Sequence, residues 1–368
     1  MKNSHKRYLF YIITALCFIA SIIFVNHNYT LYKRPIATIT DANVVDTVKK
    51  DDEFDNHDKV MTQDITAVIK NGKEKGQTIT LDNEYSLSGA YDQPYEEGND
   101  VFIGIDENSE STLTGSITDA KRDTYLVFVV WVFIITLLLV GKKQGLFAAI
   151  SLAVNIVLLS YALDIYVNTG MNLLWICAIT VILFTVISLL FVNGFNEKTY
   201  AAIIATLLGT FSALAITFLC IWLTSENGLH YEGMQFLTRP YKLVFLAGLF
   251  IGSLGAVMDV AISISAALFE LYHNNKDISV KALRTSGIGI GRDIMGTMTN
   301  ILFFAYISGT IPSLILYLKN FSPLGFTLSI NLSLELTRAL AGGIGIVLTI
   351  PIGLYTTIFF IQRKRAKS

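Results

Sequence analysis

Charge is scarce in this chain: of its 368 residues only 15% are Asp, Glu, Lys or Arg, while 52% are hydrophobic and the mean hydropathy is +0.53. So few charges cannot clothe a soluble domain of this length, and the composition points to a polytopic membrane protein whose first partner is the lipid bilayer. Cysteine is scarcer still. Cys17, Cys177 and Cys220 all fall in apolar runs, so no disulfide framework is available to the polar parts of the chain. The five histidines, His5, His27, His57, His230 and His273, are scattered, with no partner at ligand spacing on a helix, so no metal motif is expected. His273 beside Glu270 reads as a surface histidine.

Long apolar runs are abundant. Eight are expected to cross the membrane: Tyr8–Val25, Tyr125–Val140, Leu146–Val167, Leu173–Val192, Tyr200–Leu223, Leu243–Leu268, Gly287–Leu318 and Leu340–Ile361. The second is short for a span, and the seventh is long enough to bend near Gly309 and Pro312. The first run is longer than a signal-peptide core and no A-x-A-like site closes it, so it reads as an uncleaved anchor.

Basic residues set the orientation. With the N-terminus cytoplasmic, the inner segments carry thirteen: Lys2, Lys6, Arg7, Lys142, Lys143, Lys198, Lys276, Lys281, Arg284, Arg363, Lys364, Arg365 and Lys367. The short outer loops carry four, Arg239, Lys242, Lys319 and Arg338. Both termini are therefore expected inside.

Residues 26–124 hold twenty Asp and Glu against ten Lys and Arg, a net of −10, and the remaining eighteen bases and nine acids net +9. The near-neutral total hides this segregation. An acidic segment of this kind excludes nucleic acid as a partner, while the basic remainder suits an anionic cytoplasmic leaflet. Ile65–Ile69, Thr78–Leu81 and Val101–Ile105 read as strands, with turns at Asn71-Gly72 and Glu97-Gly98-Asn99. The expected fold class is thus an α-helical polytopic membrane protein of about eight transmembrane helices. A small all-β extracytoplasmic domain, an OB-like barrel or sandwich, lies between the first two. The domain expectation is 1–25 cytoplasmic N-terminus and anchor, 26–124 acidic β domain, 125–362 seven-helix membrane core and 363–368 basic cytoplasmic tail. The acidic run Asp51–Asp58 lacks the glycine and distal glutamate of a calcium loop and reads as solvated.

Two acids stand inside apolar runs, Asp259 and Asp293, and intramembrane carboxylates are costly enough to mark function. On an ideal helix Gly248, Gly252, Gly255, Asp259, Ser263, Ala266 and Glu270 fall within a sector of roughly 80°. Gly289, Asp293, Gly296 and Asn300 fall within about 60°. Small faces let helix backbones approach, so Asp259 is expected to point into the protein, with the two faces meeting and Arg292 pairing with Asp259. Gly287-x-Gly289-x-Gly291 fits neither G-x-G-x-x-G nor a P-loop, so no cofactor is implied, and these glycines read as helix-packing or local unwinding.

The stretches Gly255–Ser263, Ser286-Gly287 and Gly291–Met298 resemble the YibE/F-like family of bacterial multi-pass membrane proteins. The resemblance runs from about Leu146 to Tyr355 and more loosely through the acidic domain, and it implies the longer, YibE-type member in a bacterial cell membrane. It also implies a shorter YibE/F-like subunit or a second copy as companion. It implies no reaction.

Three functional readings fit. In a transporter, Asp259 binds or relays an ion, Asp293 shares it, Arg292 tunes both, and Asn300 and Ser263 add neutral ligands. In a membrane-anchored sensor or assembly factor, the polar cluster only locks helices together. In an intramembrane aspartyl hydrolase the two acids do paired chemistry, but the G-x-G-D motif is missing, so an enzyme is not the expectation. The topology has a direct check: an Asp92→Cys protein in intact cells should react with an impermeant maleimide, and labelling only after lysis would reverse the orientation.

Overall fold

The computed structural model describes residues 2–53, 55–89, 92–106, 113–234 and 240–367, with side chains from Ile12 to Ala366. Arg239, Ser368 and the Phe54 of the acidic run lie outside the described residues. Two compact units divide the chain, Met1–Val140 and Gly141–Ser368.

In the first unit, helix α1 (Lys2–His27) leads through a 3-10 turn (Asn28–Leu31) into five strands: β1 (Ile36–Asp51), β2 (His57–Ile69), β3 (Thr78–Ser86), β4 (Asp100–Ile105) and β5 (Leu113–Ala120). They close into a barrel in the order β1-β2-β3-β5-β4. All pairs are antiparallel except β3 with β5, and Ile36–Thr38 of β1 seal the barrel against β4. Strand alternation points Ile39, Ile65, Ala67, Ile79, Leu81 and Val101 inward, all buried. Register shifts between Ile39 and Asp41 and between Val44 and Asp46 bend β1, which lets one strand serve two neighbours. Gly115 is required by contact, since a Cβ there would collide with the carbonyl of Gly104 on β4.

The three strand segments expected from alternation lie on β2, β3 and β4. β1 and β5 had no comparable signal. The second half of β1 leaves Val44, Val45 and Val48 exposed on a hairpin arm with β2, and β5 packs Leu113, Ile117 and Ala120 on the core, each only half-buried. Residues 51–53 and 55–58 form the largely exposed end of that arm, where Asn56 donates to Asp52 at 2.7 Å and His57 Nδ1 lies 2.7 Å from Asp51.

One buried polar side chain inside the barrel is fully used. Gln63 donates to the Tyr95 carbonyl at 2.9 Å and accepts from Tyr95 N–H at 3.1 Å and Asn83 Nδ2 at 3.0 Å, pinning the segment before β4 to the wall. A second network holds the barrel's end. Buried Asn71 accepts from the Ile36 N–H at 2.7 Å and donates to the carbonyls of Tyr29, Tyr32 and Arg34 at 3.0–3.1 Å. The buried ammonium of Lys121 reaches Asp123 and the Val25 carbonyl, both at 2.8 Å, and lies 5.4 Å from the centre of the Tyr29 ring. Asp123 also accepts from Asn28 and Tyr32, so the charges are paired and hydrogen-bonded as burial demands.

The remaining helices are α2 (Asp123–Thr169), α3 (Leu173–Asn193), α4 (Glu197–Leu223), α5 (Tyr241–Asn274), α6 (Val280–Ser308), α7 (Ile311–Lys319) and α8 (Leu324–Lys367). Among the described residues six helices are long and apolar enough to cross a membrane, or seven when α6 and α7, bent by 50°, form one span. The expected second and third spans share a single element, α2, interrupted by non-helical backbone at Lys142 (φ 49°, ψ −121°). The last span, expected at Leu340–Ile361, lies on a much longer helix. It begins at Leu324 because Asn331 and Thr337 spend their polar groups on carbonyls a turn back and Glu335 pairs with Arg338.

In the second unit, bulky residues of α5 pack onto small residues of α4 and α8. A Cβ at Gly345 would stand 2.9 Å from Val257 and 3.2 Å from Ala213, and one at Gly209 would stand 3.3 Å from Val257. Ser265 and Thr357 share a buried hydrogen bond of 2.8 Å across α5 and α8. On the other flank α2 meets α3 through Ser188, which is hydrogen-bonded by Asn155 at 2.7 Å and by Ser151 at 3.1 Å.

The Asn71 network predicts a measurable loss. A fragment of residues 28–121 should give a strand-rich circular dichroism spectrum and one cooperative melt. Asn71→Ala should lower its stability by about 1–3 kcal/mol, because the Ile36 N–H loses its buried acceptor. A fragment that melts identically with and without Asn71 would contradict the network.

Candidate functional site

Asp259 faces outward. Along α5 the buried residues include Phe245, Leu249, Phe250, Leu254, Val257, Val260, Ile264 and Leu268, the bulky side. The opposite stripe of Gly248, Gly252, Gly255, Asp259, Ser263 and Glu270 is exposed, with Ala266 half-buried. The expected inward orientation is therefore reversed. The close approach of α5 to α4 and α8 does not use this outer stripe: glycines and alanines of α4 and α8, with Ala261 of α5, supply the small side of the contact, and Val257 and Ile264 supply the bulk.

Helix α6 repeats the arrangement. Its inner edge is Leu283, Gly287, Gly291 and Leu302, all buried, with Gly287 against Leu354 and Leu268 and Gly291 against Ile350. Gly289, Arg292, Asp293, Gly296 and Asn300 are exposed. Of the six glycines expected to pack helices, Gly252 and Gly291 meet a neighbour's side chain, Tyr306 and Ile350 respectively. A Cβ at Gly248, Gly255, Gly289 or Gly296 would touch nothing within 4 Å, which corrects the packing role expected of those four within the chain. The glycines that do pack and were not anticipated, Gly209, Gly342 and Gly345, lie on α4 and α8. Their only sequence signal is recurrence at helical spacing near other small residues.

The contacts of Gly252 with Tyr306 and of Gly287 with Leu268 show that α5 and α6 run antiparallel and fix their relative height. Interpolating between them sets Asp259 level with a point between Thr297 and Met298. At 1.5 Å per residue, Asp293 then lies about 7 Å away along the axis. Asp259, Arg292, Asp293, Asn300 and Ser263 thus belong to two neighbouring outward faces. Among the described residues no ion pair or hydrogen bond joins Asp259 to Arg292 or to Asp293, so the expected Asp259–Arg292 pair is not formed within the chain. There is no local unwinding at Gly287–Gly291 either, since α6 is continuous through it.

A family model described as YibE/F-like protein matches residues 129–363, which include both faces. The chain belongs to the YibE/F-like family. A second model, the YibE/F family N-terminal domain, matches residues 30–120 and so takes in the whole barrel. No curated protein and no solved structure matches the chain.

This YibE/F-like chain also holds a cluster that sequence reasoning missed. His230 Nδ1 lies 2.8 Å from Glu232 and its Nε2 lies 2.9 Å from Ser329, while the His230 N–H donates to Ser333 at 3.1 Å. His230 gave no signal because these serines are about a hundred residues away. Gly233 brings the loop onto α8, since a Cβ there would stand 2.7 Å from the Ile330 carbonyl. The order carboxylate, imidazole, hydroxyl matches a nucleophile relay, but Ser329 sits inside α8 where the adjacent backbone donors serve the helix rather than an oxyanion. The cluster therefore fastens the α4–α5 connection to α8.

The inner and outer glycines of this YibE/F-like core should respond oppositely to bulk. Gly291→Leu, pressed onto Ile350, should cost about 1–3 kcal/mol of stability and lower the melting temperature of the purified protein. Gly248→Leu should leave it within about 0.5 kcal/mol. Equal shifts at both positions would contradict the two-faced assignment.

Proposed function

We propose that this chain is a permease for a cation, proton or small solute in the bacterial cell membrane, using the polar faces of α5 and α6. Asp259 binds or relays the ion, Asp293 shares it, Arg292 offsets its charge, and Asn300 and Ser263 supply neutral ligands. One observation carries this reading: two carboxylates stand on glycine-lined faces of adjacent antiparallel helices, within about a turn in height and without an ion-pair partner among the described residues. Acids placed so inside apolar helices are expensive to keep and suit an ion pathway.

The finer topology belongs to the same proposal. Counting the two limbs of α2 separately gives eight spans, with both termini cytoplasmic and the barrel outside, as in a longer YibE-type member. The parallel β3–β5 pair and the strand order support an OB-like assignment for the barrel.

The sensor reading is kept alive by a different observation. The first unit has a recess of about 650 Å³ bordered by Gln93, Tyr95, Asp100, Arg122, Leu126 and Val129, of mixed polarity and large enough for a small ligand.

Reconstituted flux separates the two readings. In proteoliposomes carrying a pH-sensitive dye or a cation indicator, Asp259→Asn should reduce ion-coupled flux at least about tenfold, equivalent to about 1.4 kcal/mol. The folded yield should not change, because no ion pair among the described residues is lost. Flux equal to wild type in Asp259→Asn would remove Asp259 from any pathway, and flux absent from wild type across cations tested would favour the sensor.

A further inference from the structure

The polar face of α5 and α6 cannot be left against lipid. It displays two carboxylates and a guanidinium, Asp259, Asp293 and Arg292, among exposed Gly248, Gly252, Gly255, Gly289 and Gly296 in the middle of apolar helices, and intramembrane charges are found facing protein or water. Four of its glycines have open space where a side chain would stand, which is the relief that admits another helix backbone. We propose that this face is the contact surface for a second copy of the same chain, and that the ion site is completed across the contact.

Charge selects the second copy. The face carries both signs, with Asp259 on α5 and the adjacent Arg292 and Asp293 on α6, so a two-fold axis can bring Asp259 of one copy to Arg292 of the other while the facing carboxylates share the ion. Laying α5 on α5 would oppose Asp259 to its own image. Laying α5 of one copy on α6 of the other instead brings Asp259 over Gly296 and Thr297 of the second copy. Arg292 of that copy is five residues further along, about 8 Å of axial rise that the two side chains can span together. The same crossing sets Gly255 beside Asn300 and Ser263 beside Asp293, so each carboxylate gains a polar neighbour it lacks within its own chain. The pairing itself rests on geometry, and only the ion it encloses rests on the permease reading.

Cysteine cross-linking in native membranes tests the contact. In full-length protein with Cys17, Cys177 and Cys220 replaced by alanine, two differently tagged copies carry Gly255→Cys and Asn300→Cys. Mild oxidation should join the two tags. Trp222→Cys, on an exposed part of α4, should not join to either. Asp259→Arg or Arg292→Asp alone should reduce the cross-linked fraction at least fivefold, and the two together in each copy should restore most of it. Independently of these variants, the unmodified protein in nanodiscs should weigh twice its 40.7 kDa chain mass. A single-chain mass, equal cross-linking at Trp222→Cys, or capture of a different membrane protein at Gly255→Cys in place of the second tag would overturn the proposal. Cross-linked pairs that carry no flux would remove the permease and leave the pairing, whereas flux from single chains would do the reverse.

Discussion

The helical unit depends on where small residues are spent. Between lipid-facing helices there is no hydrophobic driving force of the kind that folds soluble domains, because the solvent is as apolar as leucine, so attraction comes from close packing. Val257 and Ile264 of α5 achieve it by seating on Gly209 of α4 and on Gly345 and Gly353 of α8. Once glycines of α4 and α8 form that floor, the bulky side of α5 must turn inward. The glycine stripe carrying Asp259 is then left on the outside, and the same logic on α6 leaves Asp293 there too.

This explains what was and was not legible in the sequence. Apolar runs located the helices, because length and hydropathy are properties of a single segment. The sector containing Asp259 was legible for the same reason, since it follows from helical spacing alone. Its direction was not, because facing is decided by the partner: a glycine stripe fits both a helix of the same chain and a helix of another. The strands divide along a similar line. β2, β3 and β4 announce themselves through alternation, whereas β1 spends half its length on an arm exposed on both sides and β5 is held mostly by its neighbours' hydrogen bonds. The His230 cluster was invisible because its members are joined only by the return of α8.

Polar groups in the two units follow different economies of solvent. In the barrel, Gln63 and Asn71 are buried and each bridges several backbone groups, so they act as internal cross-ties. In the helices several buried hydroxyls, Thr180, Thr185, Thr206 and Thr349 among them, bond a carbonyl of their own helix. That arrangement satisfies the hydroxyl without committing the helix to a particular neighbour, which leaves shape to determine the packing.

The chain enters and leaves the barrel at one end, and Lys121 binds the departing strand to the arriving helix through the Val25 carbonyl and to the departing helix through Asp123. Tyr32 and Asn28 grip the same carboxylate from the arriving side. A force applied to the barrel is consequently shared by α1 and α2 instead of travelling down one of them.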